Sequence, residues 1–370
     1  MPASSSKKFF VVFTQIASGV GFGLVALSLQ LPHFFACSIA LLAVIAFSGA
    51  THDIATDGVY MTELSKSDQA KYIGWQGAFY NIAKIVASGG LVYLAGWLVK
   101  RFGGVEGASG EVVYEANVHA WMIVMFVMAI VMISLGLYHT RMLPSGGAAT
   151  SEATSFKETF DKLVEVILDF FKKKHIWYYI AFIILYRFAE GFVMKIVPLF
   201  LKAGREIGGL GLSEQEIGIY YGTYGAAAFV LGSLLAGYYI SHRGLKKTLF
   251  SLCCTFNLPF IAYTLLAIYQ PTSGMLIGGA IVLEYFGYGF GFVGLTLFMM
   301  QQVAPGKHQM AHYAFASGIM NLGVMLPGMV SGFVSDWLGY RDFFIFILFA
   351  TIPAFLITYF VPFTYPDTKK

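Results

Sequence analysis

The sequence predicts an all-α membrane protein, a helical bundle with ten transmembrane helices. Three observations carry that prediction. The 370-residue chain is 57% hydrophobic and only 12% charged, about half of the roughly 25% charge an ordinary soluble domain carries. Its mean hydropathy is +0.69. Apolar runs long enough to cross about 30 Å of hydrocarbon recur ten times. Strands of a barrel would show short alternating segments instead.

The runs lie near 10–30, 34–62, 72–99, 120–138, 176–200, 215–240, 248–269, 274–301, 310–335 and 342–363. The first follows a basic flank, MPASSSKK, as a signal peptide would. It lacks an A-x-A-like cleavage site and continues for the length of a full span, which predicts a retained helix. Gly and Pro inside the runs fit membrane helices better than soluble ones. With the N-terminus in the cytosol, sixteen loop Lys and Arg residues fall inside and five outside. Both termini are therefore expected in the cytosol.

Between the fourth and fifth runs, residues 139–175 begin LPSGGAATSEATS and continue SFKETFDKLVEVILDFFKKKH. A flexible stretch thus leads into an amphipathic helix with Phe160, Leu163, Val164 and Ile167 at helical spacing. Lying on the membrane surface, it would link a four-helix bundle over 1–138 to a six-helix bundle over 176–370.

Several function classes find no support. The net charge of +4 is spread among loops, so no nucleic-acid partner is expected. Cys37, Cys253 and Cys254 lie in apolar runs and suggest neither a disulfide framework nor zinc. GVGFG at 19–23 and GYGFGF at 287–292 neither follow a strand nor open a soluble helix, so they read as packing glycines. No nucleophile–base pair, metal-ligand spacing or phosphate loop stands out, so the chain is expected to be no enzyme and to need no cofactor.

What remains are ionisable groups inside spans, each costing about 2.5–3.5 kcal/mol to insert and usually marking a lumen or ion path. They are His52, Asp53 and Asp57 on the second run, Lys84 on the third, Arg187, Glu190 and Lys195 on the fifth, and Glu284 on the eighth. Asp53 and Asp57 share a helix face, where joint ionisation is disfavoured and one acid could accept a proton. The same face also fits a helix end meeting cytosolic water. Arg187 and Glu190, three apart, either form a self-satisfied pair or leave the guanidinium to hold an acidic group of a solute. Lys84 is a lumen candidate, and Glu284 a second protonatable site or a permanently neutral acid. Tyr224, with Tyr220 and Tyr221, suits stacking on a sugar or an interfacial belt.

Three related strings point to a family. GWLVKRFG at 96–103, GYYISHRG at 237–244 and GFVSDWLG at 332–339 recur every three helices, which indicates a three-helix unit. Such units paired into six-helix halves are the construction of major facilitator transporters. GYYISHRGLKK resembles that superfamily's G-x-x-x-D-R-x-G-R-K loop, with Ser241 and His242 in place of Asp-Arg. Counted by this unit, the ten helices read as a twelve-helix architecture lacking its first two.

ATHDIATDGVYMTEL at 50–64 resembles the A-[ST]-x-D-I-x-x-D segment of AmpG-type muropeptide permeases, one branch of that superfamily. KKFFVVFTQ, LAGWLVKRFG and SGFVSDWLGYRDFF support the match. The resemblance implies a multi-pass protein of the bacterial inner membrane that imports anhydro-muramyl peptides with protons, and it carries Asp53 and Asp57 over to the family's paired acids. The alternatives are a permease for another solute (a sugar, a nucleotide or an acyl-coenzyme A) or a truncated membrane protein that does not transport.

Overall fold

The computed structural model describes residues 6–105, 107–147 and 156–366, with the backbone alone at 84–85, 88–89, 156–160 and 214–215. Among the described residues there are helices and connections and no strand. The early helices are α1 (Lys7–Ser28), α2 (Phe34–Glu63), α3 (Lys66–Ile85), α4 (Val92–Arg101) and α5 (Gly110–Met142). After them come α6 (Phe156–Phe171), α7 (Ile176–Tyr186), α8 (Phe188–Lys202) and α9 (Glu214–Ile217). The last are α10 (Gly225–Arg243), α11 (Leu245–Asn257), α12 (Phe260–Tyr269), α13 (Gly274–Phe298) and α14 (Gln309–Tyr359). Wider π-helical turns occupy Val86–Leu91, Gly218–Tyr224 and Met299–Val303.

All ten expected stretches are helical, but they do not convert into ten separate helices. Among the described residues, seven helices are long and apolar enough to cross a membrane. α14 alone covers two expected spans. Its 51 residues would reach about 76 Å if straight, far more than a bilayer core. Gly339, at φ 73° and ψ 163°, breaks it where a residue with a Cβ would be strained. The expected spans 72–99 and 176–200 are interrupted, by the π turn after α3 and by Arg187 between α7 and α8.

The chain divides into two compact units. In the first, α1 packs on α2 and α5, and α4 packs on α5. Ser6 caps α1, its Oγ accepting from the Phe9 amide at 3.3 Å, which satisfies one of the free N–H groups of the first turn. Gly19 lets α1 approach α5: a Cβ there would sit 2.6 Å from Ile133 Cγ1. Ser18 donates to Ser48 Oγ and Ser48 to the Thr14 carbonyl, each at 3.0 Å. Such bonds hold membrane helices together where no hydrophobic drive exists, at roughly 0.6–2 kcal/mol each. Near the end of α2, Lys7 Nζ donates to Thr62 Oγ1 at 2.6 Å, and the Gly146 amide to Glu63 Oε1 at 2.8 Å.

The second unit holds Leu64–Asn81 and everything from Phe156 onward. Most of α3, through Asn81, therefore groups with the later helices, whereas the sequence suggested one bundle through residue 138. The reason lies in small residues. A Cβ on Gly74 would strike the backbone of Ser233, and one on Gly237 would lie 2.9 Å from the Ala70 carbonyl. Ser233 Oγ also donates to the Gly74 carbonyl at 3.3 Å.

Aromatic residues fill the core of this unit, among them Phe192, Phe200, Tyr263, Phe343 and Phe344. α10 and α13 meet through glycines, since a Cβ on Gly232 or Gly289 would strike the Phe286 or Phe229 carbonyl. The amphipathic α6 docks on this unit by Phe170, which is buried and touches the rings of His312 and Phe315. Leu163 and Val164 face outward instead. Just past α6, Lys173 Nζ donates to the carbonyls of Val303, Ala304 and Pro305 at 2.8, 3.2 and 2.5 Å. These are carbonyls that the helix end leaves without partners.

Candidate functional site

Three of the ionisable residues singled out in the sequence meet in the second unit. Arg187 sits at the break between α7 and α8, with φ −106° and ψ 6°. Glu190 lies in the first turn of α8, where the helix dipole favours an anion. The guanidinium takes both carboxylate oxygens, Nε to Oε2 at 2.5 Å and Nη2 to Oε1 at 2.7 Å. Both residues are buried, and the other face of Arg187 lies 5.2 Å from the Phe292 ring centroid. A two-pronged pair of this kind is strong and directional.

Beside it lies a cavity of about 30 Å³, lined by Glu190, Glu284, Met194, Tyr221, Tyr263, Tyr285 and Tyr288 along with two valines. That is room for one or two water molecules. Glu284 enters from α13 and accepts from Tyr263 Oη of α12 at 3.2 Å. No Lys, Arg or His among the described residues lines the cavity; the Arg187 guanidinium stands behind Glu190, which it holds by both oxygens. Tyr221 and Tyr285 meet edge to face at 4.9 Å. Close packing encloses the pair from the α14 side, where a Cβ on Gly191 would lie 2.6 Å from the Val324 carbonyl.

Other expected residues are placed differently. Asp53 and Asp57 belong to α2 in the first unit. The Asp53 side chain is 83% exposed and lies 3.7 Å from His52 Nδ1, while Asp57 is half-buried. One turn apart on α2, His52 Nε2 and Thr56 Oγ1 are buried without a hydrogen-bond partner. Tyr224 is exposed and packs on Tyr220 at 6.2 Å. It is Tyr221, not Tyr224, that reaches the cavity. The Lys84 side chain lies outside the described residues.

The tyrosine shell is not recognisable as a site in the sequence. A signal exists for one member: Tyr288 is four residues past Glu284, on the same helical face. Tyr221 and Tyr263 come from distant elements, and nothing local links them to an acid. Among the described residues no cluster of His, Cys, Asp and Glu could hold a metal ion.

Comparison with known proteins shows the family of the chain. The family model described as the Major Facilitator Superfamily matches residues 4–307 and 188–370. The chain belongs to the major facilitator superfamily. The membership puts it among transporters rather than enzymes, and its apolar helices make it a multi-pass membrane protein. It is similar to the anhydromuropeptide permease of Escherichia coli K12, 23% identical over 319 residues covering 86% of this chain and 58% of that relative. The chain thus spans well under two thirds of that relative's length. Among solved structures it resembles the E. coli fucose:proton symporter FucP, with TM-score 0.65, 14% identity, and coverage of 96% of this chain and 83% of that one. A bacterial homologue of the iron transporter ferroportin, outward-facing, aligns with TM-score 0.53 at 14% identity, covering 96% and 84%. At these identities the structural likenesses speak for the major facilitator fold alone.

Proposed function

We propose that the chain serves as a proton-coupled permease that imports cell-wall muropeptides, anhydro-muramyl peptides, across the bacterial inner membrane by alternating access. The observation that carries coupling is the set of ionisable groups around a small cavity with room for water, the buried Arg187 and Glu190 and the half-buried Glu284. Charges at membrane depth persist where they serve a solute or an ion. The similarity to a protein named anhydromuropeptide permease supports the choice of solute, as does the D-I-x-x-D string at 53–57. In this reading both termini are cytosolic, Asp53 and Asp57 belong to the coupling path, and Lys84 and Tyr224 meet the solute, while Arg187 stays paired with Glu190.

Right-side-out vesicles containing the full chain test the solute. Labelled anhydro-muropeptide should enter, unlabelled muropeptide should compete, and free sugars, nucleotides and acyl-coenzyme A should not. Entry competed by a nucleotide or a simple sugar would move the chain to another branch of the superfamily. Asp53→Asn and Asp57→Asn should each abolish uptake, and unimpaired uptake by both would remove α2 from the coupling path.

A further inference from the structure

Asp53, Asp57, Glu190 and Glu284 are the candidate acids for proton coupling, and the second unit holds two of them in unlike surroundings. We infer that Glu284 is the residue that takes up and releases the coupling proton, while Arg187 holds Glu190 beside it as a fixed anion. This rests on the proton-coupled reading above and names the group that performs it.

Both Glu190 oxygens are committed to the Arg187 fork, and releasing them would strand two buried charges, so Glu190 stays ionised. Glu284 shares the cavity with that anion, and no cation among the described residues lines it. The groups facing it are Glu190 and Arg187 at the α7–α8 break, Tyr221 of the π turn before α10, Tyr263 of α12, and Tyr285 and Tyr288 of its own helix. Two carboxylates and one guanidinium give the cavity one net negative charge when Glu284 is ionised. A proton on Glu284 brings that to zero.

Hydrogen bonding then distinguishes a working proton site from an acid locked in one state. A phenol hydroxyl both donates and accepts. Tyr263 Oη donates to the Glu284 carboxylate at 3.2 Å, and with a small rotation of the hydroxyl it accepts from the protonated acid. Both states of Glu284 are thus satisfied without moving the backbone, which keeps the two close in energy. The cavity of about 30 Å³ admits water, able to carry a proton, and is too small for a sugar. A metal cation fits poorly, because hard cations want six or more oxygen ligands and a single unpaired carboxylate is on offer. The step itself is simple: a hydronium O–H bond breaks on one side of the membrane as the carboxyl O–H bond forms and leaves water, and on the other side the carboxyl O–H bond breaks as a water takes the proton to become hydronium.

Infrared difference spectroscopy on the purified full chain reads this directly. Acidification should produce a protonated-carboxyl C=O band that Glu284→Gln removes. Tyr263→Phe should shift the frequency of that band, because its hydrogen-bond partner is lost. In vesicles, Glu284→Gln should lose gradient-driven accumulation of labelled anhydro-muropeptide. An unchanged band in Glu284→Gln overturns the inference. If that variant does not fold, an unshifted band in Tyr263→Phe overturns it instead. Sodium that removes the band at constant pH would make the cavity a cation site and also overturn it. If wild-type accumulation ignores the proton gradient, the coupling reading itself fails. If wild type and Glu284→Gln both follow the gradient, coupling stands and Glu284 does not carry it.

Discussion

Arg187 and Glu190 form a closed two-pronged pair, with both carboxylate oxygens within 2.7 Å of guanidinium nitrogens. They lie at a helix break, inside a unit whose core is largely aromatic and aliphatic. Their spacing of three makes the pair local, so it forms as soon as α8 forms. The break at Arg187 turns the guanidinium back over the first turn of α8.

The pair predicts non-additive stability. Arg187→Met alone leaves the Glu190 carboxylate buried without its partner, and Glu190→Leu alone strands the guanidinium, each at a cost of about 3–5 kcal/mol. The double change Arg187→Met with Glu190→Leu removes both charges and should recover most of that loss, since well-packed apolar replacements of buried pairs are often neutral. Thermal melts of the four species in detergent supply the double-mutant cycle. A double variant that loses the sum of the two single losses would show that the pair contributes nothing by being paired.

Glycines at helix crossings predict a contrast between two otherwise identical substitutions. Gly232→Ala drives a methyl into the Phe286 carbonyl, an overpacking that costs about 1–3 kcal/mol. A Cβ on Gly279 meets nothing within 4 Å, so Gly279→Ala should be neutral or slightly stabilising through helix propensity. Melting temperatures in one detergent check the order. Equal effects would mean that α10 and α13 do not meet as described.

Much of this is legible in the sequence, for identifiable reasons. Charged residues stand out in an apolar chain, so Arg187, Glu190 and Glu284 are conspicuous from residue type and position alone. The three-helix repeat follows from strings whose Gly and aromatic positions recur. What stays hidden depends on distant contacts. The cavity draws on α8, α12, α13 and the π turn before α10, and no window of sequence contains it. The grouping of residues 64–81 with the second unit rests on Gly74 meeting Ser233 across 159 positions. Exposure misleads as well: Asp53 and Asp57 share a face, yet the first side chain points outward.

Lys173 predicts a pH signature for the docking of α6. Burial pulls its ammonium down to about 8 from the ordinary 10.5, with Asp169 opposing. Between those values the unfolded chain binds the proton and the folded chain does not, so stability rises with pH across that window. The advantage of wild type over Lys173→Met should therefore grow from about pH 8 toward 10.5. Melting curves of both proteins over this range measure it, and a constant or shrinking difference would show that Lys173 is not buried at the three carbonyls it caps.

Coupled import is tested most directly by proton movement in step with the solute. The full chain is placed in weakly buffered right-side-out vesicles, and unlabelled anhydro-muropeptide is added outside at equal internal and external pH. The account predicts that the external medium turns alkaline as solute enters, and that a protonophore abolishes the change. Entry of the muropeptide with no shift in external pH would contradict it.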